Sequence, residues 1–192
     1  MKRIAVLVSG GGTNLQALID YKLKSGEIVL VVSSKEGAFA LTRAENAGIK
    51  TLTLPRKNFP DSKSYSEELI QLFLEQDIDV IVLAGFMTVL DDSFCAVFKG
   101  RIVNVHPALI PSFCGVGYYG LKVHEEALKR GVKITGATVH IVTPECDGGP
   151  ILAQKAVEVR DNDTPETLQR RVMEEAEWVI LPEAVEKLCA KL

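Results

Sequence analysis

The sequence predicts an α/β fold: a doubly wound, mostly parallel sheet, an antiparallel strand pair near the C-terminus and a terminal helix. Two observations carry this. Over roughly the first 110 residues, short apolar runs alternate with segments of helical period, the pattern of βαβ units. Further on, two strand-like runs follow each other across a single loop, which fits a hairpin-like pair at a sheet edge. No linker, repeat or low-complexity segment interrupts the chain, so residues 1–192 read as one domain.

The elements follow in order. Residues 3–8 form a buried strand, and Ser9-Gly10-Gly11-Gly12-Thr13 a loop. A helix opens at Asn14, with Leu15, Leu18 and Ile19 on one face. Residues 28–33 are a second strand. Phe39 to Ala47 is a helix stopped by Gly48. Lys50 to Leu54 is a short strand ended by Pro55. Ser62 or Ser64 caps a helix running to about Gln76. Asp79 to Leu83 is an apolar strand, and a short helix follows Asp91. Ile102, Val103 and Val105 make a buried strand that ends at His106, because Pro107 has no N–H to continue a ladder. Leu121 to Lys129 is a helix stopped by Gly131. Ile134 to Val142 and Ile151 to Val159 are the last strands. Thr164 and Pro165 start the final helix, with a kink or break expected at Pro182.

Composition narrows the class. The chain is 47% hydrophobic and 24% charged, ordinary for a soluble globular protein. A net charge of −3 without a Lys/Arg block argues against a nucleic-acid platform. Neither a signal peptide nor a membrane span is expected. The four cysteines, Cys95, Cys114, Cys146 and Cys189, are widely spaced and lack zinc spacing. Free thiols in a reducing cytoplasm are the simplest reading. Cys114 and Cys146 fall near the candidate site, but no dedicated motif makes either a nucleophile.

The glycine loop lies between a strand and a helix. Glycines allow positive φ and close approach of a ligand, and the helix N-terminus offers free N–H groups. Leu15 stands where GxGxxG needs a glycine, and Val32-Ser33-Ser34 lacks the acid that would hold a ribose. The Gly-Lys-Ser/Thr of an ATP loop is absent. A monophosphate therefore fits better than a dinucleotide or ATP; a tight turn without ligand is the alternative.

Asn104 and His106 are two apart on a strand, so they face the same side at its carboxyl end. Ligands bind there in open α/β sheets. A polar, capped strand end would explain either residue alone. Asp147 precedes two glycines between the last strands; alone, Asp-Gly-Gly is a hairpin signal. His140, in an alternating strand, reads as structural. His124 reads as a helix-start or packing residue, and no histidine spacing matches a metal motif.

Taken together, Asn104-Val105-His106-Pro107-Ala108-Leu109-Ile110-Pro111 and Asp147-Gly148-Gly149-Pro150 resemble the formyltransferases that use 10-formyltetrahydrofolate. Ser9-Gly10-Gly11-Gly12-Thr13-Asn14-Leu15-Gln16-Ala17 narrows the resemblance to the phosphoribosylglycinamide formyltransferases. Leu83-Ala84-Gly85-Phe86-Met87 belongs to it too, and it spans essentially the whole chain. The resemblance implies a Rossmann-like fold, a cytoplasmic enzyme of purine biosynthesis and 10-formyltetrahydrofolate as cosubstrate, with no metal. It implies small-molecule substrates, no nucleic acid or membrane partner, and a monomer or homodimer.

The same resemblance assigns Asn104, His106 and Asp147 to catalysis. It gives Gly11, Gly12, Thr13, Asn14 and Glu177 to the phosphosugar. Lys63, Met87, Thr88, Val89, Leu90 and Asn104 go to the folate. Three departures stand out. Thr88 replaces a frequent Arg. Lys63 is the nearest stand-in for a basic folate contact, one residue short in its spacing to the next aromatic. The loop 112–120 is longer and more aromatic than in many relatives.

The implied chemistry is direct transfer. The glycinamide amine attacks the formyl carbon, and Asn104 and a protonated His106 donate to the developing oxyanion. Asp147 stabilises the imidazolium and helps move a proton, directly or through water. The amine must arrive uncharged, so the rate should rise with pH and then level. A 10-formyltetrahydrofolate hydrolase would use the same trio, but its known relatives carry an N-terminal regulatory domain for which Met1-Lys2-Arg3-Ile4 leaves no room. Methionyl-tRNA formyltransferases carry a further C-terminal domain, and this chain ends at Leu192. A non-catalytic phosphosugar or folate binder would keep the glycine loop but leave the trio unexplained.

Overall fold

A computed structural model describes residues 1–192. Seven strands form one sheet: β1 (Lys2–Val8), β2 (Gly26–Ser33), β3 (Lys50–Thr53), β4 (Val80–Leu83), β5 (Ile102–His106), β6 (Ile134–Ile141) and β7 (Ile151–Glu158). Their spatial order is β3-β2-β1-β4-β5-β6-β7. The first five run parallel, while β6 pairs antiparallel with both β5 and β7. The expected doubly wound sheet and its antiparallel C-terminal strand pair are therefore present.

Alternation along β1 explains the layering. Ile4, Val6 and Val8 face one core, and Ala5 and Leu7 the other. Helices α1 (Thr13–Tyr21) and α2 (Phe39–Asn46) cover the first face. Leu15, Leu18, Ala40 and Ala44 supply their packing surfaces. Helices α3 (Ser62–Glu75) and α4 (Asp92–Val97) cover the second face through Tyr65, Leu69, Phe73, Phe94 and Phe98. Helix α5 (Leu121–Arg130) follows β5 and ends on Gly131, whose φ of 74° permits the left-handed cap.

The sequence misplaced two local features. Asp61, not Ser62 or Ser64, caps α3: its side chain accepts the Ser64 N–H at 2.8 Å. The terminal helix is interrupted at Met173–Glu177 rather than at Pro182. Helix α6 (Pro165–Val172) passes there into a π-turn, where the Trp178 N–H reaches back five residues to the Met173 carbonyl. Helix α7 (Trp178–Lys191) then runs on through Pro182, which forgoes the one N–H bond back to the Trp178 carbonyl without ending the helix.

The strand order reverses direction between β1 and β4. In doubly wound sheets the crevice at that point, outside the carboxyl ends of the strands, receives ligands. The glycine loop after β1, the Ala84–Leu90 segment after β4 and His106 at the end of β5 all lie at this edge.

Candidate active site

The glycine loop is held by its carbonyls. Gly10 O accepts the Ala40 N–H at 3.0 Å, and Gly11 O accepts Arg43 Nε at 2.8 Å. Arg43 also stacks over Phe39 and bonds Gln16. With these oxygens tied to α2, the loop amides and the first turn of α1 remain available to an anion. Gly12 caps α1 at φ 72°, and a Cβ there would lie 2.6 Å from that of Ala40. Only glycine fits. Thr13 opens α1, and Asn14 lies buried in its first turn.

Asn14 meets Glu177 from the far end of the chain. Its Nδ2 donates to Glu177 Oε2 at 2.8 Å, while Asn14 Oδ1 has no partner. Glu177 is the last residue of the π-turn. A π-turn rotates the residues after it relative to a plain helix, a feature that recurs at functional sites. Burial pushes the Glu177 carboxyl above the usual range, against the Asn14 hydrogen bond. The glycine-loop residues and Glu177 therefore form one neighbourhood.

Asn104 and His106 share a face of β5, as the spacing predicted. The antiparallel register sets His140 opposite Asn104 and Thr138 opposite His106. Asn104 Nδ2 lies 3.2 Å from His140 Nε2, which leaves its second N–H free. Asp147, from the β6–β7 loop, reaches both histidines. Its Oδ2 is 3.6 Å from His106 Nδ1, and its Oδ1 is 3.5 Å from His140 Nε2. His140 is thus a fourth member of the cluster, not a bystander in a strand. The signal was available: once β6 is set beside β5, period-two alternation puts Thr138 and His140 on one face.

Burial acts to raise the Asp147 carboxyl. The approach of His140, the Gly115 N–H at 2.9 Å and the two neighbouring imidazoles outweigh it and hold the group below the usual carboxylate range. Asp147 itself adopts φ 54°, a conformation Asp tolerates better than most residues. Gly149 then packs so closely that a Cβ would fall 1.8 Å from Ile141 O.

Loop 112–120 closes this cluster from one side. Phe113 O lies 2.8 Å from His106 Nε2 and accepts its N–H. Both ring nitrogens of His106 therefore face acceptors, Nε2 the Phe113 carbonyl and Nδ1 the Asp147 carboxylate. Cys114 and Cys146 border the site as free thiols. Burial raises both, and the Asp147 charge adds to it. Neither has the lowered thiol of a nucleophile. No group of three or more His, Cys, Asp or Glu is arranged to hold a metal ion.

The 87–90 stretch is suspended at its ends. Met87 N–H bonds Ser9 Oγ, and Asp91 N–H bonds Ser66 Oγ, each at 2.9 Å. Between them, Thr88, Val89 and Leu90 make no hydrogen bond within the chain. Their amides and carbonyls stay open to a flat heterocycle with matching donors and acceptors. Lys63, exposed on the first turn of α3, lies near enough to help lower the Asp91 carboxyl, after the Ser93 hydrogen bonds. It therefore borders the same stretch. His124 is buried without a partner for either ring nitrogen, and is not part of the cluster's hydrogen bonding.

An anion-ready loop, an open backbone edge and an Asn/His/His/Asp cluster surround one crevice, an arrangement suited to joining a phosphorylated acceptor and a heterocyclic donor. A family model described as formyl transferase matches residues 2–185, and the chain belongs to that family. Its relatives there are the phosphoribosylglycinamide formyltransferases. It is 43% identical over 173 residues to the phosphoribosylglycinamide formyltransferase of Escherichia coli (strain K12), which covers 88% of this chain and 79% of that one. It is 42% identical over 187 residues to the trifunctional purine biosynthetic protein adenosine-3 of Gallus gallus. That match takes in 96% of this chain but 18% of the longer protein. The crystal structure of glycinamide ribonucleotide transformylase 1 from Symbiobacterium toebii matches with a TM-score of 0.92 at 37% identity. It covers 100% of this chain and 89% of that chain.

Proposed function

We propose that the protein transfers the formyl group of 10-formyltetrahydrofolate to the amine of 5-phosphoribosylglycinamide, giving the N-formyl product and tetrahydrofolate in purine biosynthesis. The observation that carries this reading is the meeting of Asn104, His106, His140 and Asp147 beside an open glycine loop, in a chain of the formyl transferase family. Residues 1–192 act as one formyltransferase domain.

Gly11, Gly12, Thr13 and Asn14 hold the phosphosugar through amides and the α1 N-terminus, and Glu177 holds its glycinamide end. Met87 to Leu90 present backbone groups to the pterin, and Lys63 meets the folate's acidic tail. The amine attacks the formyl carbon, the N10–carbon bond breaks, and a proton passes from the amine to N10. Asn104 donates its free N–H to the tetrahedral oxyanion. His106 donates from Nε2 once the Phe113 carbonyl gives way. Asp147 balances the imidazolium and assists the proton transfer, and His140, its Nδ1 held on the Ile141 carbonyl, orients Asn104 by accepting its other N–H at Nε2. Losing one oxyanion donor in such a site costs about 10²–10³ in rate. The partners are small molecules, with no nucleic acid or membrane, and the enzyme acts in the cytoplasm as a monomer or homodimer. No helix is long and apolar enough to cross a membrane.

The test is His106→Ala. Turnover of 10-formyltetrahydrofolate with phosphoribosylglycinamide should be abolished, while phosphosugar binding by calorimetry is largely spared. Unchanged turnover removes His106 from the mechanism. A wild-type protein that binds the phosphosugar but never turns over is a binding module.

A further inference from the structure

Ser9 belongs to two binding elements at once. It is the residue directly after β1 and opens the glycine loop. It is buried, 6% exposed. The Oγ lies 2.7 Å from the Oγ of Ser34, the residue directly after β2, and accepts the Met87 N–H at 2.9 Å. A hydroxyl has one proton and two lone pairs, so Ser9 can satisfy both partners at once. Ser34 is fixed in turn, its N–H bonded to Val8 O at 3.0 Å.

The other end of the 87–90 stretch is fixed independently. Asp91 N–H bonds Ser66 Oγ from α3, which packs on the opposite face of the sheet from α1 and α2. One anchor therefore communicates with the phosphosugar side and the other does not. Displacing the glycine loop by a fraction of an ångström moves Ser9, and with it the start of the stretch that faces the pterin.

We propose that Ser9 is a positioning residue that couples the two substrate sites. This rests on the functional reading above. Seating the phosphosugar on Gly11–Asn14 fixes the loop, Ser9 carries that order to Met87, and the folate then binds an edge already in place. Linkage makes the effect reciprocal: each substrate tightens the other by the same factor.

The test uses a pair that does not react, tetrahydrofolate and phosphoribosylglycinamide. Affinity for tetrahydrofolate is measured by calorimetry with and without saturating phosphosugar. In the wild-type protein the phosphosugar should tighten tetrahydrofolate about fivefold or more, within the usual range of coupling. In Ser9→Ala each ligand still binds alone, but the ratio falls below about twofold, since that coupling needs the hydroxyl. Ser9→Thr restores the ratio. Ser66→Ala weakens tetrahydrofolate and keeps the ratio, which a general loosening of the stretch would not do. Ser9→Cys, similar in shape but a poor acceptor, serves as second variant if alanine disturbs folding. A wild-type ratio of one, or a ratio retained in Ser9→Ala and Ser9→Cys, overturns the proposal. Binding of neither ligand to the wild-type protein overturns the functional reading, and this inference with it.

Discussion

Asp147 Oδ2 stands 3.6 Å from His106 Nδ1, although the two residues come from different strand ends and 41 positions separate their numbers. The pair exists because β6 and β7 fold back antiparallel beside β5. Their connecting loop then hangs over the strand end that carries His106. Asp147→Asn keeps the size and removes the charge. We expect kcat to fall about 10²–10³, comparable to losing an electrostatic contact to the transition state. Phosphosugar binding should stay near that of the wild type. Since the carboxyl is held below its usual range, its contribution to stability is present above that range and lost as pH falls through the lowered value. Acid unfolding of Asp147→Asn should lack this part of the transition.

Glu177 makes the opposite case. Its carboxyl is raised by burial, so its contribution is complete below the usual carboxylate value and is lost as pH rises through the folded value. Glu177→Gln preserves an acceptor for Asn14 Nδ2 while removing the buried charge. The variant should be as stable as the wild type, or more so, at pH 8 in urea. Its phosphosugar affinity should fall about 10–100-fold, the worth of hydrogen bonds to a charged group. Normal affinity with lowered stability would make Glu177 a packing residue.

His124 should dominate one part of the acid limb. Burial, and then the neighbouring His106, push its imidazole down to about 4. A base depressed in the fold takes its proton first in the unfolded chain. Its share of stability is therefore complete above about pH 6.5 and is lost as pH falls toward 4. Between pH 7 and 5 the loss is about 2 kcal/mol. Urea unfolding of His124→Leu across that interval should be flatter by this amount. An identical slope would contradict it.

The cysteines should prove dispensable. Cys146 is exposed, but burial of its sulfur and the charge of Asp147 keep it protonated at neutral pH. Alkylation by iodoacetamide should be slower than for free cysteine at pH 7 and rise about tenfold per pH unit up to pH 8.5, following thiolate content. Cys146→Ser should retain turnover within about twofold, as surface changes outside the chemistry do.

Much of this was legible from residue order. The runs at 4–8 and 28–32 are apolar on both faces, and only a sheet covered on both sides accepts such strands. Asn104 and His106 declared a shared face through their spacing alone. His140 did not, because a strand's face has functional meaning only once its neighbour and register are known. Asp61, Ser62 and Ser64 lie within four positions and can all cap, and backbone angles decide between them. The π-turn at 173–177 has no compositional signature, whereas Pro182 has a strong one, so residue order points to a break at the proline. Ser9 shows in the sequence only as the start of a glycine loop, since its bond to Met87 spans 78 positions.

One measurement tests the central claim most directly: release of tetrahydrofolate from 10-formyltetrahydrofolate by the purified protein, followed by absorbance, with and without phosphoribosylglycinamide. The expected result is release only when the phosphosugar is present, with the formylated product seen by mass spectrometry. Equal release in its absence would contradict the transferase reading and make water the acceptor. No release in either case would contradict catalysis altogether.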